Sequence, residues 1–198
     1  MSTFDDLIQK RRVLSSPVAP FIHHRWSPRS MSGESLTKEE INGLFEAARL
    51  APSSYNAQPW RFVYATKTDA SWSHFMDLLV DFNKQWCKNA GLLVIVASRK
   101  NFEHNEKPSQ THSYDAGASW MSLALQGAHQ GLVVHGLQGF DYEKAATLAH
   151  IPSEYQVEAM IAVGRPAPKD QLPPDLQAME IPSERRPLSE ILFHGQFS

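Results

Sequence analysis

"ARLAPSSYNAQPWRF", residues 48–62, is the stretch from which the rest of the chain can be read. Ahead of it, Ile41, Leu44, Phe45 and Ala48 recur at i, i+3, i+4 and i+7, the stripe of an amphipathic helix. Thr37 and Glu40 supply the Thr-x-x-Glu of a capping box, so the helix opens at Thr37, and Pro52 stops it. Behind the stretch, "RFVYAT" reads as a strand. The turn between them carries Ser53, Ser54, Asn56 and Gln58, hemmed in by Tyr55 and Trp60, and the backbone N–H groups of Ser53 and Ser54 are expected to be free beyond the helix end. Solvent loops draw on Gly, Asp and Lys. This turn instead offers hydroxyls and primary amides, groups that donate and accept hydrogen bonds at once. Two readings fit: these side chains grip the edge of a heterocycle that alternates C=O, N–H, C=O, or they satisfy the backbone of a tight turn.

Towards the amino terminus, residues 4–12 form a short helix that "SSPVAP" ends, and "HHRWSPRSMSGES" has no periodicity. Within it Arg25, Ser27 and Arg29 fall at i, i+2, i+4, so an extended chain turns all three to one side. Two guanidiniums and a hydroxyl match a phosphate group; pairing with surface carboxylates is the alternative. Towards the carboxyl terminus, Trp72, Phe75, Met76 and Leu79 have helical spacing, and "AGLLVIVAS" is a strand buried on both faces. Residues 114–130 form a helix rich in Ala, Gly and Ser that a second backbone can approach closely. "LVVHGL" and "VEAMIAVG" are strands, and Asp141 caps a helix running to Leu148, before Pro152. Five prolines between Arg165 and Pro182 mark an extended arm or surface excursion, not a core element. Alternating helices and strands give an α+β (mixed α/β) class, with one domain over 1–198, an amino-terminal helix and lead-in over 1–24, and a carboxyl-terminal arm over 165–198.

Composition excludes several classes. The chain has 198 residues, 42% hydrophobic and 20% charged, with a formal net charge of -2. That balance gives no field to attract nucleic acid or an anionic membrane. No apolar run approaches the roughly 20 residues that span a bilayer, and the start is no secretory signal, so a cytoplasmic location is expected. Cys87 is the only cysteine and the histidines are scattered, so neither a disulfide nor a metal site is expected. There is no G-x-S-x-G, H-E-x-x-H, P-loop or G-x-G-x-x-G.

Taken together, "HRWSPRSM", "EEINGLFEAARLAPSSYNAQPWRFVYAT", "FNKQWCKNAGLLVIVAS", "GLVVHGLQGFD", "IAVGRPAP" and "RRPLSEI" resemble the nitroreductase family of FMN enzymes along nearly the whole chain. The resemblance implies a central mixed β-sheet flanked by helices, in an intertwined homodimer with FMN at the subunit interface. It places Arg25, Trp26, Ser27, Arg29 and Arg185 on the FMN phosphate, with Arg165 as a further candidate. Pro52, Ser53, Ser54 and Asn56 would line the flavin from the other subunit, supported by Gln58; Asn83 would reach the pyrimidine edge; Leu137, Gln138 and Gly139 would lie near N5. The implied reaction is hydride transfer from NADH or NADPH through flavin N5 to a small electron-poor acceptor (nitroaromatic, quinone or activated alkene) in a ping-pong cycle. No side chain is named as catalytic, because the flavin carries the chemistry. Aromatic candidates for the wall of the acceptor site are Tyr55, Phe102, Tyr114 and Trp120. Three positions depart from the family: Gly136 replaces a proline, His135 a small residue or cysteine, and Trp86 a basic residue. The alternatives are an FMN-using relative with a dedicated metabolite reaction (dehalogenation, dehydrogenation or flavin consumption) and a non-catalytic mononucleotide-binding dimeric module.

Overall fold

The computed structural model describes residues 3–197. Its elements are α1 (Thr3–Arg11), α2 (Pro20–His24), α3 (Lys38–Arg49), β1 (Trp60–Thr66), α4 (Trp72–Leu78), α5 (Asp81–Cys87), β2 (Leu92–Arg99), α6 (His112–His129), β3 (Val133–Leu137), α7 (Tyr142–Leu148), β4 (Tyr155–Gly164) and α8 (Pro174–Met179). The capping box forms as read: Glu40 N–H donates to Thr37 Oγ1 at 3.2 Å, and Thr37 N–H donates to the Glu40 carboxylate at 2.7 Å. Asp141 caps α7, accepting from Lys144 N–H at 2.9 Å.

The strands form a four-stranded sheet in the order β1-β2-β4-β3. Strand β2 is buried along its whole length except Arg99, as its unbroken apolar run requires. The period of two divides its side chains between two cores. Leu93 and Ile95 join Phe75, Leu78, Trp86 and Phe140 beneath α4, α5 and α7. Leu92, Val94 and Val96 join Ile41, Leu44, Leu123 and Ala124 beneath α3 and α6. The sheet is therefore sandwiched between two helical layers. Helix α6 lies close on it because its residues are small: a Cβ at Gly127 would strike the Val134 side chain.

Three expectations change. All pairings in the sheet are antiparallel, not mixed. The connections through α4 and α5 and through α7 join neighbouring antiparallel strands, while α6 crosses from β2 to β3, which lie on either side of β4. Helix α5, with Asn83 on its buried side, lacked a periodic stripe of its own and was not read from the sequence. The segment after Arg165 is not a surface excursion: Leu172 and Leu176 are buried in the core with α4 and α7, and the short α8 forms there with a proline at its start. Prolines interrupt periodicity without preventing burial of the leucines between them.

Candidate functional site

The chain leaves α2 at Arg25, which is already extended (φ -67, ψ 125). The strand-like run that follows is fixed from two sides. The Glu180 carboxylate, just past α8 and only 3% exposed, accepts the backbone N–H groups of Arg29 (2.8 and 3.0 Å) and Ser30 (2.8 Å). From β3, His135 Nδ1 donates to the Pro28 carbonyl at 2.9 Å. With its backbone held, the run presents Arg25, Trp26, Ser27 and Arg29 to a cavity of about 310 Å³. Ser183 and Arg185 line it from the chain's far end, and Arg12 from the end of α1. His135, Met179 and Ile181 complete the wall.

The electrostatics are one-sided. Among the described residues, four guanidiniums and no carboxylate side chain line the cavity. Arg25 donates to Ser27 Oγ and to the Trp26 carbonyl, each at 3.3 Å, and lies 6.0 Å from the Trp120 ring centroid. Arg185 donates to Ser183 Oγ at 2.7 Å and the Glu184 carbonyl at 2.9 Å. Burial first, then repulsion from Arg185, lowers the pKa of Arg25; burial, then Arg185 and Arg25, lowers that of Arg12. Arg25 Nε, Arg29 Nε and Trp120 Nε1 are buried and have no hydrogen-bond partner among the described residues. His135, packed against Trp86 with ring centroids 4.6 Å apart, is pushed down to about 4 by burial, opposed by its bonds to main-chain carbonyls and reinforced by Arg29 and Arg25. The imidazole is therefore neutral near neutral pH and serves the loop as an N–H donor.

Arg25, Trp26, Ser27 and Arg29 line one cavity together with Arg185, which reaches it from the far end of the chain. Arg165 is not there. It pairs with Glu40 at 3.0 Å and Glu34 at 3.4 Å, where it ties the start of α3 to the end of β4. Arg12 and Glu180 were not singled out from the sequence, where Arg12 stood only as the last residue of the short helix over 4–12 and nothing marked Glu180.

The polar turn stands apart, and no residue from 52 to 58 lines the cavity. Ser54 N–H, expected to be free beyond the helix end, donates to Asp115 Oδ2 at 3.1 Å from α6. Ser53 Oγ accepts from Gln58 N–H at 3.0 Å, and Gln58 Nε2 donates to the Asn56 carbonyl at 3.2 Å. Those two side chains satisfy the turn itself. Tyr55, Asn56 and Gln58 all have positive φ (52, 53 and 46), an uncommon conformation for residues other than glycine. Tyr55 is 85% exposed, with the Phe102 ring edge-on to it at 5.7 Å. Pro52, Asn56 and Gln58 are exposed as well.

At the end of β3, Asn83 is buried and its amide is used at both ends: Nδ2 donates to the Gly139 carbonyl at 2.9 Å, and Oδ1 accepts from Trp86 Nε1 at 3.2 Å. Trp86 thus orients the asparagine. A Cβ at Gly139 would lie 2.5 Å from Asn83 Nδ2, so only glycine allows this contact. Gly136 similarly makes room for Trp120, whose ring would be 3.1 Å from a Cβ. Leu137 is buried and Gln138 is exposed.

Fold and cavity define an α+β protein with a cationic, anion-ready site between its two chain ends. The chain belongs to the nitroreductase family, whose model matches residues 22–85. An oxygen-insensitive NADPH nitroreductase from Helicobacter acinonychis is 41% identical over 73 residues; the match spans 34% of this chain and 31% of that relative, less than a third of its length. A crystal structure described as an oxidoreductase containing FMN superposes with a TM-score of 0.91 at 43% identity, covering 94% of this chain and 96% of that one. A protein from Desulfovibrio desulfuricans, solved in complex with FMN, gives a TM-score of 0.72 at 25% identity, with 93% of this chain and 100% of that one covered. Among the described residues no helix is long and apolar enough to cross a membrane.

Proposed function

We propose that this chain is an FMN-dependent oxidoreductase that takes hydride equivalents from NADH or NADPH and delivers them to a small electron-poor acceptor such as a nitroaromatic, a quinone or an activated alkene. The observation that carries the reading is the convergence of Arg25, Arg29 and Arg185 on one cavity that no carboxylate lines among the described residues, with buried guanidinium N–H groups of Arg25 and Arg29 left without partners there. Unpaired buried cations cost stability unless an anion meets them. A phosphate monoester fits that requirement in charge and in the fork geometry of arginine. The similarity to the FMN-containing oxidoreductase supports FMN as its bearer.

When bound, FMN supplies the hydride-accepting and hydride-donating chemistry. The residues of the chain bind and orient it. Arg25, Arg29 and Arg185 hold the phosphate, with the Ser27 hydroxyl beside them. Glu180 and His135 fix the backbone of the phosphate loop from opposite sides and keep those guanidiniums aimed. Asn83 holds the main chain of Gly139 at the end of β3, where Leu137, Gln138 and Gly139 are offered to the ring. The turn of Pro52, Ser53, Ser54 and Asn56 lies outside the cavity of its own chain, and its exposed left-handed residues favour a homodimer in which it serves the partner's cofactor. Arg165 has no part in this arrangement, because its charge is matched by Glu34 and Glu40.

The test is an absorbance spectrum of the purified protein, followed by NADH and then NADPH under anaerobic conditions. Flavin bands that bleach with either nucleotide and recover with a nitroaromatic or quinone are the expected result. A protein that stays colourless after incubation with FMN overturns the reading.

A further inference from the structure

We propose that Arg12 is a fourth anion-binding residue of this cavity, and that through it a bound phosphate monoester holds the carboxyl-terminal segment 180–187 closed against the amino-terminal helix. The inference rests on the reading of the cavity as a phosphate site.

Arg12 directly follows α1 and is 7% exposed. Its guanidinium touches two segments of cavity wall besides its own. Nε donates to the Ser183 carbonyl at 3.1 Å, and Nη1 donates to the carbonyls of His23 (3.1 Å) and Arg25 (2.7 Å). The Arg12 carbonyl in turn accepts from His23 Nε2 at 3.0 Å. Its neighbour Arg11 reinforces the seam, donating to the Pro182 carbonyl at 2.9 Å and pairing with Glu184 at 3.3 Å. Arg12 differs from Arg11 and Arg165 in one respect. Each of those meets a carboxylate, whereas Arg12 makes no ion pair among the described residues. Its charged neighbours are Arg25 and Arg185, of like sign. Main-chain carbonyls satisfy two of its nitrogens, and the guanidinium carries five N–H donors in all.

The sign of the interaction between the chain ends therefore depends on the cavity's contents. Without an anion, Arg12, Arg25 and Arg185 repel one another, and the segment 180–187 is held against that repulsion by hydrogen bonds to carbonyls and by Glu180. With a dianion among them, the same three cations attract a common centre. Anything that binds the closed arrangement better than the open one shifts the population towards closure. Occupancy and closure are then coupled, and the coupling runs through the residue whose fork spans both chain ends.

The experiment compares wild type, Arg12→Met and Arg12→Lys by flavin fluorescence titration and by amide hydrogen exchange over the peptide containing 180–187. The probes are inorganic phosphate, FMN and riboflavin. In wild type, phosphate and FMN slow exchange in that peptide and riboflavin does not. Arg12→Met binds FMN about tenfold more weakly, the loss of roughly one charge-assisted contact, with riboflavin affinity unchanged and the exchange protection lost. Arg12→Lys keeps the charge but not the fork, so it retains most of the FMN affinity and loses the protection. Wild-type FMN affinity in Arg12→Met, or an equal loss for riboflavin, overturns the anion assignment. Full protection in Arg12→Lys overturns the coupling, and it decides the matter if Arg12→Met fails to fold. A wild-type protein that phosphate protects but that takes up no FMN leaves Arg12 in place and removes the flavin reading.

Discussion

The arginine cavity and the serine–asparagine turn are both polar, and they are built on opposite plans. In the turn, the groups that looked available are in use: Asp115 takes Ser54 N–H, and Ser53 Oγ takes Gln58 N–H. What remains unsettled there is backbone, in the left-handed Tyr55, Asn56 and Gln58. In the cavity the backbone is settled, pinned by Glu180 and His135, and the side chains are left over. Among the described residues, guanidiniums face one another without a carboxylate between them, and two Nε atoms are buried without a partner. A turn that satisfies itself can exist for folding alone. A nest of unmatched cations works against folding and needs a ligand to account for it.

That contrast can be broken most sharply by removing the cations. Arg25→Ala with Arg29→Ala should cost FMN binding about 3–6 kcal/mol, a loss of at least about 100-fold. The ligand-free protein should melt no lower than wild type, because like-charge repulsion goes with the arginines. Calorimetric titration and melting curves measure both, and a variant that keeps wild-type flavin affinity removes the phosphate assignment.

The next largest effect concerns His135, which serves the cavity loop as a neutral donor. Its pKa lies at about 4 in the fold, against 6.5 ordinarily. Between those values the unfolded chain binds a proton that the folded chain does not, so stability falls as pH drops from 6.5 towards 4, by about 3 kcal/mol at most. Melting temperature followed across that window should decline, and His135→Asn, which keeps a donor and cannot titrate, should lessen the decline. An unchanged slope in the variant assigns the pH dependence to other groups.

The smallest effect tests the turn. Asp115→Ala leaves Ser54 N–H without its acceptor and removes the carboxylate that also accepts from Thr111 Oγ1 at 3.3 Å. It should destabilise the protein by about 1–3 kcal/mol while leaving phosphate affinity untouched, as denaturant unfolding and a phosphate titration can establish. A loss of phosphate affinity in this variant would join the two regions that the structure keeps apart.

Much of the local plan was legible in the chain. The Thr37–Glu40 box, the Asp141 cap and the buried run of β2 depend on residues a few positions apart, and each forms as read. The Arg25, Ser27, Arg29 spacing was legible for the same reason, since an extended backbone sets which side chains share a face. Misreadings cluster where partners are distant. Ser54 N–H finds Asp115 across 61 positions, and Arg165 finds Glu40 across 125. No periodicity encodes such pairs. Prolines after Arg165 hid Leu172 and Leu176, whose burial depends on where the arm lands and not on a repeat.

The sequence by itself thus determined the longer helices and the strands, the burial of β2 on both faces, and the motif that places the chain in the nitroreductase family. Tertiary structure alone decided that every pairing in the sheet is antiparallel, that Arg165 is matched while Arg12 is not, and that the two chain ends meet around one cavity. Local propensity acts through neighbours along the chain. Charge acts through space, and whether a guanidinium is neutralised or left for a ligand is settled only when distant segments pack.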